Sequence, residues 1–272
     1  MTPSAAVERT HAALAFDTLA ESYDNLFTRS LIGRGQRDIV WQYLAKTFTT
    51  GDHVLELNCG TGEDALFLAQ KGISVFACDA SQQMVHVARA RALREASNLV
   101  QVELLPTENL ASLQPLRPFD GAFSNFSGLN CVADLQETAQ QLARLTVPGA
   151  SLLFCLSSRF CAFEIIWFLL HGELQKALRR TSGHAAAHVG GFTVPLQYPT
   201  VRQLSKLFSP WFSLRSCVGV GVAIPPSFAE SWVQKQPHIF KLLQTIDQRL
   251  HRIPGLRVIG DHVLLSFERV VS

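Results

Sequence analysis

A turn of small residues near position 60 has the composition of a nucleotide-type cradle. The apolar run of residues 53–57 leads into Asn58, Cys59, Gly60 and Gly62, and an amphipathic helical pattern follows. Glycines in such a turn let the backbone approach a ligand where a Cβ would clash. Asn58 takes the place of a first glycine, and asparagine tolerates left-handed backbone angles better than other residues with a Cβ. We therefore expect strand, tight turn and helix in that order.

The charges around the turn indicate which kind of nucleotide it holds. Asn58 and Glu63 occupy two of the three glycine positions of a dinucleotide fingerprint. Glu63 and Asp64 also place carboxylates in the first helical turn, where they suit the helix dipole but repel a pyrophosphate. About twenty residues further on, the apolar run 73–78 ends in Asp79, whose carboxylate can accept hydrogen bonds from both ribose hydroxyls. These features favour a nucleoside without phosphates and disfavour a dehydrogenase.

Three motifs together resemble the class I S-adenosylmethionine-dependent methyltransferases. They are Glu-Leu-Asn-Cys-Gly-Thr-Gly at 56–62, Asp-Ala-Ser-Gln-Gln-Met at 79–84 and Phe-Asp-Gly-Ala-Phe-Ser-Asn-Phe at 119–126. Upstream, residues 15–24 are similar to the N-terminal lid of the small-molecule branch, as in enzymes of ubiquinone and menaquinone biosynthesis. The similarity covers roughly the first 156 residues well and returns weakly at the C-terminus.

The resemblance implies S-adenosylmethionine as cofactor and S-adenosylhomocysteine as product. Tyr23 would reach the methionine end, and Met84 would flank the adenine, although a helical methionine is more often core packing. Related enzymes usually carry an aspartate at the position of Pro106, so the adenine contact falls to Thr107 or Glu108. The cofactor-binding residues that we expect are Tyr23, Glu56, Asn58, Cys59, Gly60, Gly62, Asp79, Ala80, Met84, Thr107, Glu108, Asn125 and Phe126.

Alternating strand and helix patterns position these residues on an α/β fold. The resemblance implies a Rossmann-like, doubly wound sheet of seven strands, mostly parallel with an antiparallel last strand, plus helical cap insertions. We expect residues 1–156 to form the lid and the cofactor-binding half, residues 157–199 a substrate-cap insertion, and residues 200–272 the rest of the core. A second cap insertion is expected at 224–260. Residues 7–27 should form the lid helix.

Histidines in the first insertion are the leading candidates for a general base. His184 and His188 are four residues apart among glycines and alanines, with no carboxylate or cysteine to complete a metal site. A mobile loop carrying substrate-facing histidines is favoured over a metal site, and exposed histidines without a chemical role are an equal alternative. A base matters if the acceptor is a phenol or enol. Tyr198 and His11 are lesser candidates for that role.

The first insertion also predicts the kind of acceptor. Its aromatic residues Phe160, Phe163, Trp167 and Phe168 favour an apolar or aromatic small molecule. The basic segment 176–180 is most simply a solvated helix end; an acidic substrate or an anionic membrane surface are the alternatives.

Composition excludes several other classes. A formal net charge of +2 with 17% charged residues gives no basic stripe for nucleic acid. Six scattered cysteines without a Cys-x-x-Cys pair indicate reduced thiols and a cytoplasmic location. The most apolar run, 160–170, is interrupted by Glu164 and is too short to span a membrane, although peripheral contact is left open. The chain is expected to be a monomer or a homodimer.

These observations predict a methyltransferase that acts on an apolar or aromatic small molecule. O-methylation is the first expectation, followed by C- or N-methylation. Two alternatives remain at this point: a fold that binds S-adenosylmethionine to steer a cyclisation or rearrangement, and a non-catalytic binding module.

Overall fold

A seven-stranded sheet forms the centre of the computed structural model, which describes residues 9–95 and 98–271. The strands are β1 (His53–Leu57), β2 (Ser74–Asp79), β3 (Val100–Leu104), β4 (Phe119–Ser124), β5 (Thr146–Ser157), the separate hairpin strands β6 (His184–Val189) and β7 (Phe192–Gln197), β8 (Phe212–Val220) and β9 (His262–Arg269). The sheet order is β3-β2-β1-β4-β5-β9-β8, and β9 is antiparallel to both of its neighbours. This confirms the predicted mostly parallel sheet with an antiparallel last strand.

Helices cover both faces of the sheet. They are α1 (His11–Tyr23), α2 (Leu31–Thr47), α3 (Glu63–Ala69), α4 (Gln82–Glu95), α5 (Leu135–Leu145), α6 (Ala162–Leu170), α7 (Leu174–Ala177), α8 (Val201–Phe208), α9 (Glu230–Lys235) and α10 (Pro237–Leu250). Because successive strand residues point to opposite faces, Val54 of β1 joins one hydrophobic cluster with α2, α3, α4 and α10. Leu55 and Leu57 join a second cluster with α5 and α8. The sheet is therefore wound on both sides.

Helix α1 lies over the strand ends as the sequence predicts for a lid, although it is shorter than residues 7–27. A wider helical turn, Asp24–Thr28, follows it, and residues 7 and 8 lie outside the described range. Asp17 accepts hydrogen bonds from Ser81 Oγ at 2.7 Å and from the Gln83 backbone N–H at 3.0 Å. Asp24 accepts one from Thr61 Oγ1 at 2.7 Å. Side chains near the cofactor turn thus hold the lid in place.

The first insertion is only partly helical. After α6 and α7 it forms an antiparallel hairpin of β6 and β7, so the histidines at 184 and 188 lie on a paired strand and not in a mobile loop. The expectation of a loop was wrong, because the segment pairs with β7 along its whole length and its residues alternate between exposed and half-buried positions. Gly190 and Gly191, both with positive φ, form the turn between the strands.

The basic segment at 176–180 is not simply a solvated helix end. The Arg180 guanidinium is buried and reaches Glu164 Oε2 at 2.6 Å and Asp261 Oδ1 at 3.0 Å. Arg179 donates two hydrogen bonds to Glu164, both at 2.8 Å. Glu164, which interrupts the apolar run, is buried and requires these partners, since a buried unpaired carboxylate is costly. Only Lys176, exposed and paired with Glu173, fits the expectation.

The second insertion carries α9 and α10. Phe240 of α10 enters the core, and the buried carboxylate of Asp247 accepts the Ala223 backbone N–H at 2.6 Å. Among the helices of the described segments, none has the length and apolar character needed to cross a bilayer.

Candidate active site

The turn between β1 and α3 has the left-handed backbone that its residue types predict. Asn58 has φ 55°, Gly60 φ 54° and Gly62 φ 78°. The Asn58 side chain fixes the turn, since its Oδ1 accepts from Ser124 Oγ and its Nδ2 donates to Thr107 Oγ1, both at 3.2 Å. The loop after β4 packs directly on it: a Cβ added to Gly128 would lie 2.3 Å from Asn58 Cβ. The Gly128 backbone therefore lies close against the Asn58 side chain at the cofactor edge.

The carboxylate of Asp79 lies at the carboxyl end of β2, facing this turn. Oδ2 accepts the Gly60 backbone N–H at 2.9 Å, and Oδ1 accepts the Ser81 N–H at 2.8 Å. Burial raises the pKa of Asp79, while the backbone N–H groups of Ser81, Gly60 and Ala80 oppose that shift. An ionised carboxylate offers about four lone-pair sites, so acceptor capacity remains for a ribose diol.

A cavity of about 210 Å³ lies between the lid, the turn and the loop after β4. Apolar side chains of the hairpin, including Ala187 and Val189, close it from the other side. Nine of the predicted cofactor residues line this first cavity: Tyr23, Asn58, Cys59, Gly60, Asp79, Ala80, Met84, Asn125 and Phe126.

Four other predicted cofactor residues lie beside the first cavity and not on its wall. A Cβ added to Gly62 would lie 3.0 Å from Ala88 Cβ, so Ala88 covers this glycine. Thr107 is buried against Asn58, and Glu108 is exposed. Burial raises the pKa of Glu56 well above its ordinary value, with nearby Asp64 adding to the shift. Cys131, which the sequence analysis did not single out, lines the cavity instead.

A buried ion pair at the inner end of the first cavity was missed from the sequence. Arg37 of α2 donates from Nη1 to Asp64 Oδ2 at 2.6 Å, and Trp41 Nε1 and Asn125 Nδ2 donate to the same carboxylate at 2.6 and 2.9 Å. Both members of the pair line the cavity. Arg37 belongs to no local sequence motif. Only its contact with Asp64, which lies 27 positions away, identifies it as a residue of the site.

Unsatisfied polar atoms near this ion pair fit an amino-acid group. Within the described chain, Arg37 Nε and Glu56 Oε2 are buried without a hydrogen-bond partner. The free N–H of Arg37 suits a carboxylate. Burial, partly offset by Arg37, raises the pKa of Tyr23 to about 12, so its hydroxyl remains a hydrogen-bond donor at neutral pH. Together with Asp79 these residues fit both ends of S-adenosylmethionine.

A second cavity of about 340 Å³ lies next to the first and shares Tyr23, Phe126 and Ser127 with it. Its wall combines aromatic and apolar side chains with polar and charged ones. The side chains that complete it include Leu19, Phe27, Phe228, Ser157, Arg180, Asp261 and His262. A group bound in the second cavity would therefore lie beside the inner end of the first.

The histidines predicted as bases do not line either cavity. His184 and His188 occupy exposed positions of β6, because the alternate residues Ala187 and Val189 face the first cavity. His188 Nδ1 lies 3.2 Å from Thr193 Oγ1, and the exposed His11 has its Nδ1 3.2 Å from the Thr193 carbonyl oxygen.

Tyr198 likewise lies outside both cavities. It is buried, with the Arg180 guanidinium 5.6 Å from its ring centroid, and burial raises its pKa. His262, which the sequence analysis did not single out, is the histidine that reaches the second cavity.

Comparisons with known proteins agree with this geometry. A sequence model described as "Methyltransferase domain" matches residues 54–149. The demethylmenaquinone methyltransferase of Symbiobacterium thermophilum is 30% identical over 201 residues, which cover 65% of this chain and 77% of that protein. The 2-phytyl-1,4-naphtoquinone methyltransferase of Synechococcus elongatus is 35% identical over 142 residues, covering 50% of this chain and 58% of that protein.

A solved structure shows the same fold. The S-adenosylmethionine-dependent methyltransferase of Mesorhizobium loti superimposes with a TM-score of 0.58 at 15% identity, over 86% of this chain and 98% of that chain. The cofactor motifs, the cradle that they form and the related sequences agree. The chain belongs to the class I S-adenosylmethionine-dependent methyltransferases, in their small-molecule branch, and is an enzyme that uses S-adenosylmethionine as its cofactor.

Proposed function

We propose that this enzyme methylates a hydroxylated aromatic small molecule of the phenol or hydroquinone type. The second cavity is the observation that carries the proposal, because it shares Tyr23, Phe126 and Ser127 with the cofactor cavity. Its aromatic wall suits a flat apolar ring, and the hydroxyls of Ser127 and Ser157 suit a polar substituent on that ring. The activities named for the two relatives, which concern menaquinone and naphthoquinone compounds, support the same class of acceptor.

The residues around the two cavities supply binding and orientation. When bound, the cofactor supplies a methyl group already activated on a sulfonium, so the protein needs mainly near-attack geometry in a dry site. Asp79 holds the ribose, and Arg37 holds the amino-acid end. Phe126 and Tyr23 line both cavities and would exclude water from the place where donor and acceptor meet. The hydroxyl oxygen of the acceptor is the first candidate for the methylated atom, and a neighbouring ring carbon is the second.

An exposed apolar face beside the second cavity supports a lipophilic acceptor. We define the α6–α7 face by Ile166, Leu169, Leu170, Leu174 and Leu178, whose exposed fractions range from 46% to 80%. Arg179, which lines the second cavity, and Lys176 lie on the same segment. We propose that this face contacts a membrane surface peripherally. All six cysteines are free thiols, in keeping with a cytoplasmic site of action.

Transfer of a labelled methyl group tests the proposed function. The enzyme is incubated with S-adenosylmethionine carrying a labelled methyl group and with 1,4-naphthohydroquinone or 1-naphthol as acceptor. We expect a product that carries the label, together with an equimolar amount of S-adenosylhomocysteine. An unlabelled product of rearranged structure, without S-adenosylhomocysteine, would instead favour the cyclisation alternative. The absence of any product from hydroxylated aromatic acceptors would reject the proposed acceptor class.

A further inference from the structure

A buried histidine with no part in cofactor binding lies on the wall of the second cavity. His262 is the first residue of β9 and is 6% exposed. Its Nε2 lies 3.0 Å from Ser127 Oγ, and its Nδ1 lies 3.4 Å from Asp261 Oδ2. The Phe126 ring packs edge-on against the imidazole, with centroids 5.5 Å apart. Carboxylate, imidazole and hydroxyl follow one another in the order that activates a hydroxyl group in other enzymes, with Nδ1 near the carboxylate but not hydrogen-bonded to it.

The surroundings of this group determine which atoms carry protons. Burial opposes ionisation of Asp261, but His262, Arg180 and the hydrogen bonds from Gln36 and Arg180 outweigh it, so its pKa lies below the ordinary value. Burial lowers the pKa of His262, and Arg180 lowers it further, against the opposing effect of Asp261. Because Nδ1 is the ring nitrogen that lies 3.4 Å from the Asp261 carboxylate, we expect a neutral imidazole to carry its proton there. The Nε2 lone pair then faces the hydroxyl of Ser127.

The remaining charged groups near the imidazole leave this assignment in place. Arg179 and Arg180 line the second cavity, and both are paired with the buried Glu164. Tyr23, on the opposite wall, stays protonated at neutral pH because burial raises its pKa to about 12. Asp261 is held by Arg180 Nη2 at 3.0 Å and by Gln36 Nε2 at 3.2 Å. Its carboxylate is thereby fixed against the imidazole.

Ser127 occupies the position from which a proton can pass between acceptor and imidazole. It lines both cavities, and its Oγ lies 2.6 Å from Ser157 Oγ as well as 3.0 Å from His262 Nε2. With φ 69° it follows Phe126, φ 44°, in a tight turn after β4 that presents the hydroxyl at the strand end. When the Ser127 hydroxyl donates its proton to His262 Nε2, its oxygen can accept two hydrogen bonds. One comes from the Ser157 hydroxyl, and the other can come from the hydroxyl of the acceptor.

We propose that His262 is the general base of methyl transfer, acting with Ser127 as a proton relay, and that Asp261 is its positioning residue. This inference rests on the proposed function and names the chemistry of the acceptor: a hydroxyl whose proton must leave, as in a phenol, an enol or a hydroquinone. An amine with a free lone pair would not require the relay.

The proton and electron balance is complete without a further reactant. The acceptor O–H proton passes to Ser127 Oγ while the Ser127 proton passes to His262 Nε2. The acceptor electron pair forms the new bond to the methyl group, and the electron pair of the broken methyl–sulfur bond stays on sulfur. Asp261 balances the resulting imidazolium charge, and His262 releases the proton to solvent after the product leaves.

Kinetics of His262→Asn and Ser127→Ala test the relay, with 1,4-naphthohydroquinone as acceptor. We expect His262→Asn to lower kcat at least about 100-fold, within the usual range for loss of a general base. Its dissociation constant for S-adenosylmethionine should stay close to that of the wild type. At saturating S-adenosylmethionine, the kcat of the wild type should fall as pH drops and His262 takes up a proton, and His262→Asn should lose this dependence. Ser127→Ala should be slower than wild type but keep it.

His53→Asn is the matched control. Burial also lowers the pKa of His53, but this residue begins β1 and so lies at the end of the strand away from the cofactor turn. Its rate and pH profile should match those of the wild type. A His262→Asn enzyme with wild-type kcat and an unchanged pH profile would overturn the proposal, even if its stability were lower. A wild type that transfers no methyl group would instead count against the proposed function.

Nitrogen NMR of the histidine-labelled wild type, bound to S-adenosylhomocysteine, gives a test that needs no turnover and no folded variant. We expect His262 to be neutral at pH 7 with its proton on Nδ1, and we expect 1-naphthol to shift the Nε2 resonance. An imidazolium, a proton on Nε2, or an Nε2 resonance that ignores 1-naphthol would overturn the relay.

Discussion

We expect cofactor affinity to depend most directly on Asp79. Its carboxylate lines the first cavity, and its two oxygens are oriented by the N–H groups of Gly60 and Ser81. Asp79→Asn should weaken S-adenosylmethionine binding about 10- to 100-fold, because a hydrogen bond to a charged group contributes about 1.5–3 kcal/mol. Calorimetric titration measures this. Asp120→Asn, which removes a similar carboxylate near the start of β1, should leave the affinity unchanged.

The pH dependence of that affinity follows from the raised pKa of Asp79. The ribose diol needs the ionised carboxylate as acceptor, so affinity should be full above the raised pKa and fall as pH drops through it. The fall should begin at a higher pH than for an ordinary aspartate. Titrations across this range should show the effect in wild type and not in Asp79→Asn. An equal pH dependence in both proteins would contradict the role of Asp79.

Asp64 shows why some site residues could be predicted from the sequence only in part. Its place in the first turn of α3 was clear from the sequence and is confirmed. Its partners Arg37, Trp41 and Asn125 come from α2 and the end of β4, and no local pattern links them. The same holds for His262, whose contact with Ser127 spans 135 positions. The residues of a turn can be predicted from their neighbours in the sequence, whereas a buried polar network depends on contacts that only the tertiary fold brings together.

Asp64→Asn should destabilise the enzyme strongly. It leaves the Arg37 guanidinium buried without a counter-charge, and breaking a buried pair costs about 3–5 kcal/mol. Urea unfolding measures the change in the free energy of unfolding. Glu268→Gln, which breaks the exposed pair with Arg215, should cost less than about 1 kcal/mol. A similarly small loss in the free energy of unfolding for both variants would show that the Arg37–Asp64 pair does not stabilise the packing of α2 against α3.

At the scale of elements, the sequence predicted the core and missed the form of the first insertion. The strands and helices of the core follow apolar periodicity that the sheet then confirms. The hairpin of β6 and β7 was missed because a run of alanines and glycines gives neither a helical nor a strand signal. Glu164 was seen only as a break in an apolar run. Its buried contacts with Arg179 and Arg180 instead hold α6 to the segment after α7.

The α6–α7 face should bind lipid vesicles. Replacing Leu170 and Leu174 by serine should lower binding to phosphatidylglycerol–phosphatidylcholine vesicles at least about 10-fold, because burying each leucine contributes about 1.5–3 kcal/mol. Co-sedimentation measures the effect. Leu116→Ser, at a fully exposed leucine outside this face, is the control and should bind like the wild type. The proposal would be contradicted if the wild-type enzyme did not bind vesicles but formed a dimer, and if the double variant were a monomer. A second copy of the chain would then cover this face.

At the scale of the whole molecule, two adjoining cavities at one end of the sheet provide the separate sites that we propose for the cofactor and the acceptor. The first is built from the β1–α3 turn, the end of β2 and the lid, and the second from the end of β4, the start of β9 and the two insertions. In an open α/β sheet, ligands bind at the carboxyl ends of the strands. Because β9 runs antiparallel, its first residues reach this same end, which places His262 on the wall of the second cavity.

A crystal structure with S-adenosylhomocysteine and 1-naphthol tests this arrangement most directly. We predict the ribose hydroxyls on Asp79, the amino-acid end on Arg37, and the naphthol ring in the second cavity with its hydroxyl on Ser127 Oγ. Naphthol bound away from Ser127, or a cofactor whose sulfur faces away from the second cavity, would contradict the account.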